Sequence, residues 1–440
     1  MTSRRQALKV LLGGGAATLA AGAQAPLQLN FAPSSARAAT PGKTLIKVFL
    51  RGGADGVNLF PPYADSSYYD LRPNIAVEPP NGSDPDSAIR LDNFFGAHPA
   101  LAPLMEIWDD NNLGIMPATH FPDARRSHFD NQRWLELGFV GTGATGYFGR
   151  YLEQNPPAGL FQALVAGRNG ITTSMRGPVP VTAIRRGSDF EIQDNLWCDG
   201  SGCATNDYHT MLQRLFEEEP ENASAVESLA YLNGRDMSEK LNLFESLDDD
   251  YVPDAGGLDY SNSSFGNGLR LIAQLIKADV GLEVVATDWN IGWDTHSNQL
   301  PGGTSHGDLN FRYHSRINEG ANDMLTFYRD MSAFRNDVTI VFGSEFGRTA
   351  RQNGSRGTDH GFAAAWWAIG GAVNGGIQGA WPGLADQQLE DGRFLAMSID
   401  YRDLLGEALT TFLGTPEAQL GTIFPNHQFT DNGLFSGASV

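Results

Sequence analysis

The chain is short of cysteine, of basic residues and of long apolar runs. Only two cysteines occur in 440 residues, Cys198 and Cys203. They are enough for one local staple at most. Both lie in the turn-rich stretch Cys-Asp-Gly-Ser-Gly-Cys, where a disulfide is the first reading and free thiols or a soft metal pair are the alternatives. A loop that short adds little stability. Lysine and arginine total 31 against 51 acidic residues, a formal charge of −20. That deficit disfavours nucleic acid, whose phosphates demand cations, and an anionic membrane surface. It does not disfavour a small anionic substrate, because a bound metal ion reverses the sign locally. Past the N-terminus no stretch is apolar enough to cross a bilayer, so no integral span is expected in the mature chain.

The apolar run that does exist is an address. Ser3-Arg4-Arg5-Gln6-Ala7-Leu8-Lys9 is a twin-arginine pattern, an Ala/Gly-rich run from Val10 to about Ala23 follows, and Ala36-Arg37-Ala38 fits small-x-small cleavage. Residues 1–38 are read as a signal peptide for the twin-arginine export machinery, which places the mature protein in the periplasm or outside the cell. A disordered or anchoring N-terminus is the alternative.

The rest has an ordinary globular balance, 41% hydrophobic and 19% charged. Residues 39–440 are read as one α/β domain. Leu45–Leu50, Leu113–Met116, Gly159–Gly167, Val179–Ile184, Leu282–Ala286, Val338–Phe342 and Ala363–Ile369 are predicted strands. Phe265–Asp279, Ser305–Phe334 and an amphipathic Tyr401–Leu413 are predicted helices. Alternating strands and helices imply a doubly wound, mostly parallel sheet with helices on both faces. Residues of about 185–260, with the cysteine loop and acidic runs, read as a helical insertion or cap.

Ligand chemistry is dense in three late clusters: Trp293-Asp294-Thr295-His296, Ser344-Glu345-Phe346-Gly347-Arg348 and Gly357-Thr358-Asp359-His360-Gly361. Carboxylates beside imidazoles are what a divalent ion needs. Asp294 and His296 are two apart, so in extended backbone both face one way. Each has a plain structural alternative: a turn-capping Asp294, a Glu345–Arg348 pair, an Asp359 or His360 that merely fills a loop. Two upstream segments join them. Gly52-Gly53-Ala54-Asp55-Gly56 places Asp55 past the first predicted strand, beside the strand ends that precede Asp294 and Glu345. In open α/β sheets ligands bind at that edge. Asp123-Ala124-Arg125-Arg126-Ser127-His128-Phe129-Asp130 offers a nucleophile in Ser127, a base or ligand in His128 and an anion clamp in Arg126. If Ser127 opens a helix through Trp134, backbone N–H groups there can hold an oxyanion; otherwise Ser127 is an ordinary cap.

The twin-arginine leader, Gly-Gly-Ala-Asp-Gly, Arg-Ser-His-Phe, Trp-Asp-Thr-His, Ser-Glu-Phe-Gly-Arg-Thr and Thr-Asp-His-Gly, in that order, resemble the family of unknown function DUF1501, over roughly Leu45 to Leu413. That family looks like a distant relative of the alkaline phosphatase and sulfatase superfamily. The resemblance implies an alkaline phosphatase-like fold with one or two divalent ions (Zn, Ca or Mg). It implies metal ligands among Asp55, Asp294, His296, Glu345, His360 and Asp359, with Ser127 as nucleophile on a small phosphate or sulfate ester. Arg126 or Arg348 would clamp the ester oxygens. Two departures stand out. Phe346 occupies a place where the superfamily has a ligand histidine, which leaves His128 or Asp359 to replace it. The Cys-or-Ser-x-Pro-x-Arg signature of type I sulfatases is missing around Ser127. The expectation is an exported metal-dependent ester hydrolase. The alternatives are a metal-stabilised exported binding or assembly protein without turnover, and a hydrolase that uses water as nucleophile.

Overall fold

A computed structural model describes residues 42–156, 161–187, 213–218, 223–247, 250–299 and 309–436. The leader and Cys198–Cys203 lie outside them. Chain contacts divide the protein into two compact units, residues 1–35 with 190–248 and residues 36–189 with 249–440. The smaller unit contributes the helix Ala225–Ser246. It is closed by a capping box in which the Ser224 hydroxyl accepts from Glu227 N and the Glu227 carboxylate accepts from Ser224 N.

The larger unit is built on a nine-stranded sheet. Its strands are β1 (Thr44–Phe49), β2 (Leu113–His120), β3 (Ala163–Ala166), β4 (Thr182–Ile184), β5 (Val284–Asp288), β6 (Val338–Gly343), β7 (Ala364–Gly370), β8 (Gly376–Ile377) and β9 (Ile399–Asp400). They lie in the order β8-β2-β7-β6-β1-β5-β3-β4, with β9 also on β2. Every pair is parallel except the two that β7 makes with β2 and β6. The central strands are buried along their whole length and read as near-continuous apolar runs.

Helices cover both faces, as the alternating pattern predicts. On one face Leu45, Phe49, Met116, Val284, Val341 and Trp366 pack with Leu135 of α1 (His128–Leu137), Tyr147 and Tyr151 of α2 (Tyr147–Gln154) and Leu405 of α5 (Tyr401–Glu407). On the other, α3 (Ser264–Lys277) lies on β3 and β5, and Gly268 brings it against Thr287. Its apolar Phe265, Leu269, Ile272, Ala273 and Ile276 form the buried stripe that the sequence predicts. The helix α4 (Leu309–Asp330) packs beside α3.

One element departs from expectation. The predicted amphipathic helix Tyr401–Leu413 is α-helical only to Glu407, continues as a π turn over Ala408–Phe412, and is buried on all sides from Tyr401 to Leu409. Its charges do not mark a wet face because each has a buried partner. Arg402 pairs with Asp400 at 2.6 Å, Asp403 takes His427 Nε2 at 2.6 Å, and Glu407 accepts from Leu434 N at 2.6 Å.

Candidate metal centre

The sheet explains how distant segments meet. All strands but β7 run one way, so the loops after β1, β2, β5 and β6 leave at one edge. Because β7 is antiparallel, its N-terminal end lies at that edge too. The connection from β6 to β7 therefore stays there, and it carries Glu345, Arg348, Asp359 and His360. Backbone hydrogen bonds tie it to the loop after β5: Thr358 N to Thr295 O at 3.0 Å, Asn298 N to Ser355 O at 3.0 Å and Gln299 N to Arg356 O at 2.7 Å. A side chain at Gly357 would place its Cβ 2.3 Å from the His296 carbonyl carbon, so only glycine allows this approach.

Three imidazoles and one carboxylate converge there. His296 Nε2 lies 3.0 Å from Asp294 Oδ1 and 3.1 Å from His360 Nε2. His360 Nε2 lies 3.2 Å from Asp294 Oδ1, and His128 Nε2 lies 3.5 Å from Asp294 Oδ2. Donor atoms of His128, Asp294 and His360 all fall within 4.8 Å of one another. Four donors held about 2.0 Å from one tetrahedral ion stand about 3.3 Å apart. The contacts among Asp294 Oδ1, His296 Nε2 and His360 Nε2 match that figure, while His128 Nε2 approaches the other oxygen of Asp294.

The other nitrogen of each ring decides its chemistry. His128 Nδ1 lies 2.7 Å from Glu345 Oε1, His296 Nδ1 lies 3.0 Å from Asp359 Oδ1, and His360 Nδ1 lies 2.8 Å from the Arg126 carbonyl oxygen. A carbonyl or carboxylate oxygen here can only accept, so each Nδ1 carries the hydrogen. In the neutral ring each Nε2 is then a bare lone pair. Bare nitrogens facing each other and a carboxylate at about 3 Å repel unless the rings are protonated or a cation sits among them. His128 Nε2 is buried without a hydrogen-bond partner. Carboxylate or carbonyl partners behind imidazoles are also the usual way a metal site fixes its ligands. The donor set fits a divalent ion.

The support is charged and buried. Glu345 is fully buried and accepts from Gly52 N at 2.9 Å, Gln132 Nε2 at 2.8 Å and Ser344 Oγ at 3.0 Å besides His128. Burial alone would raise its pKa, but the hydrogen bonds from His128 and Gln132 hold it below the ordinary glutamate value. The same contact raises the His128 pKa, against the effect of burial. Burial also opposes ionisation of Asp294, yet the Arg348 guanidinium 2.7 Å away keeps its carboxyl below the ordinary range. The His296 hydrogen bond does the same for Asp359. Phe346 is fully buried and lies against the rings of His128 and His360, with centroids 4.8 and 4.9 Å away. It is a wall. Gly53, at φ +71°, leaves room for its ring, which a Cβ would meet at 2.5 Å.

The structure sorts the residues named from sequence. Asp294, His296 and His360 meet, and His128 joins them beside the Phe346 ring. Asp359 and Glu345 stand behind the imidazoles, since their oxygens are occupied by Nδ1 and other donors. Asp55 lies below the cluster, where its Oδ2 accepts from Arg72 Nη1 at 2.7 Å and from Gln299 Nε2. Arg348 does not clamp a ligand: its nitrogens are taken by Asp294, Thr358 Oγ1 at 3.2 Å and the Thr358 carbonyl. Arg126 holds His360 through its carbonyl and keeps a half-exposed guanidinium at the rim, 3.5 Å from Asp391. Ser127 sits at the N-cap of α1 in extended backbone, but its side chain caps no N–H. The Arg126 carbonyl belongs to the support, and so do Arg72, Gln132 and Gln299, which stand outside every motif. Gln132, one helical turn after His128, is the one whose spacing pointed here.

Fold and site together define an α/β protein with a candidate metal centre at the C-terminal edge of a mostly parallel sheet. Residues 205–417 match the family described as Protein of unknown function (DUF1501), the same family that the motifs resemble. A search of curated proteins finds no match. Three solved structures similar to the chain are as follows. One is the C-terminal periplasmic domain of EcEptC from Escherichia coli in complex with Zn, with 8% identity over 75% of this chain and 73% of that one, TM-score 0.35. Another is a protein in the alkaline phosphatase superfamily from Vibrio parahaemolyticus, with 10% identity over 80% and 67%, TM-score 0.32. The third is alkaline phosphatase from the Antarctic bacterium TAB5, with 9% identity over 76% and 92%, TM-score 0.29. At such scores nothing follows from them.

Proposed function

We propose that this protein is an exported, metal-dependent hydrolase of phosphate or sulfate esters. The observation that carries the reading is the convergence of three Nε2 lone pairs and the Asp294 carboxylate, each imidazole held from behind through Nδ1. A donor set of imidazole nitrogens with one carboxylate favours zinc over calcium or magnesium, which prefer all-oxygen shells. Bound there, the ion supplies Lewis acidity to a phosphoryl or sulfuryl oxygen.

The chain supplies the rest. Asp294 and His296 are roughly half exposed, so an ester can reach the centre. Ser127 is joined directly to His128 and its hydroxyl is not spent on capping α1. It attacks in line, its oxygen bonding to phosphorus or sulfur as the ester oxygen leaves and its proton passes to water. A water molecule then cleaves the seryl ester and restores the hydroxyl. Arg126, half-exposed at the rim, turns from Asp391 to steady the ester oxygens. Residues 39–440 act as one domain carrying an insertion, delivered to the periplasm by the leader.

The test is elemental analysis of protein purified from the periplasm, with a screen of chromogenic aryl phosphates and sulfates. One zinc per chain and hydrolysis that disappears in Ser127→Ala, with zinc retained, are expected. Protein free of divalent metal sinks the reading. Zinc with no turnover moves it to a metal-stabilised binding protein, and full activity in Ser127→Ala moves it to water as nucleophile.

A further inference from the structure

A pocket of about 250 Å³ adjoins the metal centre, lined among others by Arg351, Gln352, Asn353, Asp359 and Arg393. It shares a wall with the centre. Asp359, which holds His296 Nδ1, lines it, and Asn353 Nδ2 donates both to Asp359 Oδ1 at 3.1 Å and to the His296 carbonyl at 2.9 Å. Its volume is below that of a typical whole-ligand site and suits one substituent of a larger molecule.

Its cations are unspent. Among the described residues neither the Arg351 nor the Arg393 guanidinium has a carboxylate partner. Asp359 Oδ1, by contrast, is taken by His296 Nδ1 and Asn353 Nδ2. The remaining acid, Asp386, also lines the pocket, and it limits the pocket to one anionic group rather than a polyanion. Arg393 and Arg126 both lie over the buried Phe394 ring, at 5.3 and 4.3 Å from its centroid. The pocket arginine and the rim arginine are therefore held by one support. In a chain of charge −20, two guanidiniums with no carboxylate partner among the described residues stand directly beside the metal centre.

We propose that the Arg351–Arg393 pocket binds a second anionic group of the substrate, distinct from the ester that is cleaved. The substrate class becomes an ester with an additional sulfate, phosphate or carboxylate on its leaving group or backbone, taken up by charge-assisted hydrogen bonds. The site's place in catalysis rests on the hydrolase reading, whereas the anion binding itself does not need the metal.

The probe is benzenesulfonate, an anion that cannot be hydrolysed, titrated into metal-free protein with line-shape NMR as readout. Its neutral isostere benzenesulfonamide and inorganic sulfate are run alongside. Benzenesulfonate is expected to bind at least about tenfold more tightly than the sulfonamide, the scale of one charge-assisted contact. Arg351→Gln with Arg393→Gln is expected to erase that preference while zinc content and melting temperature stay at the wild-type values. Absence of sulfonate binding, an equal affinity for the sulfonamide, or a preference kept in the double variant overturns the proposal. Inorganic sulfate binding as tightly as benzenesulfonate also overturns it, since the occupant would then be a free anion. Loss of zinc binding would sink the hydrolase reading alone, because the pocket is measured without metal.

Discussion

Glu345→Gln is the sharpest probe of the centre, because it changes charge without changing shape. The carboxylate accepts at Oε1 from Gly52 N, His128 Nδ1 and Gln132 Nε2, and at Oε2 from Ser344 Oγ. Ser344 Oγ can donate to the Leu50 carbonyl instead, 2.7 Å away. A glutamine can therefore keep its oxygen in the Oε1 place and turn its amide toward Ser344 Oγ. The hydrogen bond to His128 survives, but the negative charge that makes the imidazole a stronger donor to a metal is gone. Removing such a partner costs about 10- to 100-fold in metal affinity, or roughly 1.4 to 2.7 kcal/mol at 1.36 kcal/mol per tenfold. Competition against a chromophoric zinc chelator at neutral pH reads the affinity directly, with thermal unfolding of the metal-free protein as the control for folding. If the folded variant holds zinc within threefold of wild type, His128 is not a ligand backed by Glu345, and the tautomer argument fails.

Other consequences are as direct. Asp55→Ala strands the fully buried Arg72 guanidinium and should cost about 3–5 kcal/mol in urea unfolding; a loss under 1 kcal/mol would show that water repairs the site. Lys47 is buried in β1 with its ammonium on the Val48 carbonyl at 2.7 Å and over Trp366, and burial lowers its pKa to about 7. The folded pKa lies below the unfolded one, so the unfolded chain binds more protons between about pH 7 and 10.5 and stability rises with pH across that window. Lys47→Met should therefore stabilise the protein by on the order of 4 kcal/mol at pH 6, with the gain vanishing above pH 10.5; equal stability of the two proteins at pH 6 would refute the buried amine. Zinc at 100 times its dissociation constant should add about 2.7 kcal/mol to stability, reversed by chelator, and no shift in melting temperature would refute binding to the native state.

What was legible followed from chemistry that is local in sequence. Strand cores such as Thr44–Phe49 and Val338–Gly343 are largely apolar, broken only by residues such as Lys47 and Thr339, and the motifs at their ends carry the donors. What was not legible depends on direction and on neighbours in space. Nothing in Ala364–Gly370 marks it as antiparallel, yet that single reversal keeps Glu345 and His360 at one edge. Asp55 looked like a ligand because an acid after a first strand is the right type in the right place. Its fate is decided by Arg72, seventeen residues on, in a helix-end position that no pattern distinguishes. His128 and Arg348 are a pair of opposite lessons: the histidine's lone pair is freed by a buried glutamate, while the arginine's charge is consumed by Asp294 and Thr358.

The buried network beneath the centre has a logic of its own. Arg72 and Gln299 hold Asp55. The Gln299 carbonyl oxygen in turn accepts from Thr295 Oγ1 at 2.6 Å and Thr358 Oγ1 at 2.8 Å. Those two threonines each stand between donors of the centre, Thr295 between Asp294 and His296, Thr358 two residues before His360. Arg348 completes the link from Thr358 to Asp294. Asp55 Oδ2 therefore fixes the glutamine that pins both loops, while its Oδ1 is buried without a hydrogen-bond partner. A substitution at Gln299 should loosen His296 and His360 together and leave His128, which hangs from α1 and Glu345, in place. The candidate centre thus carries His296 and His360 on two loops pinned to each other through Gln299 and His128 on α1 against Glu345, so the Gln299 variant separates the two supports.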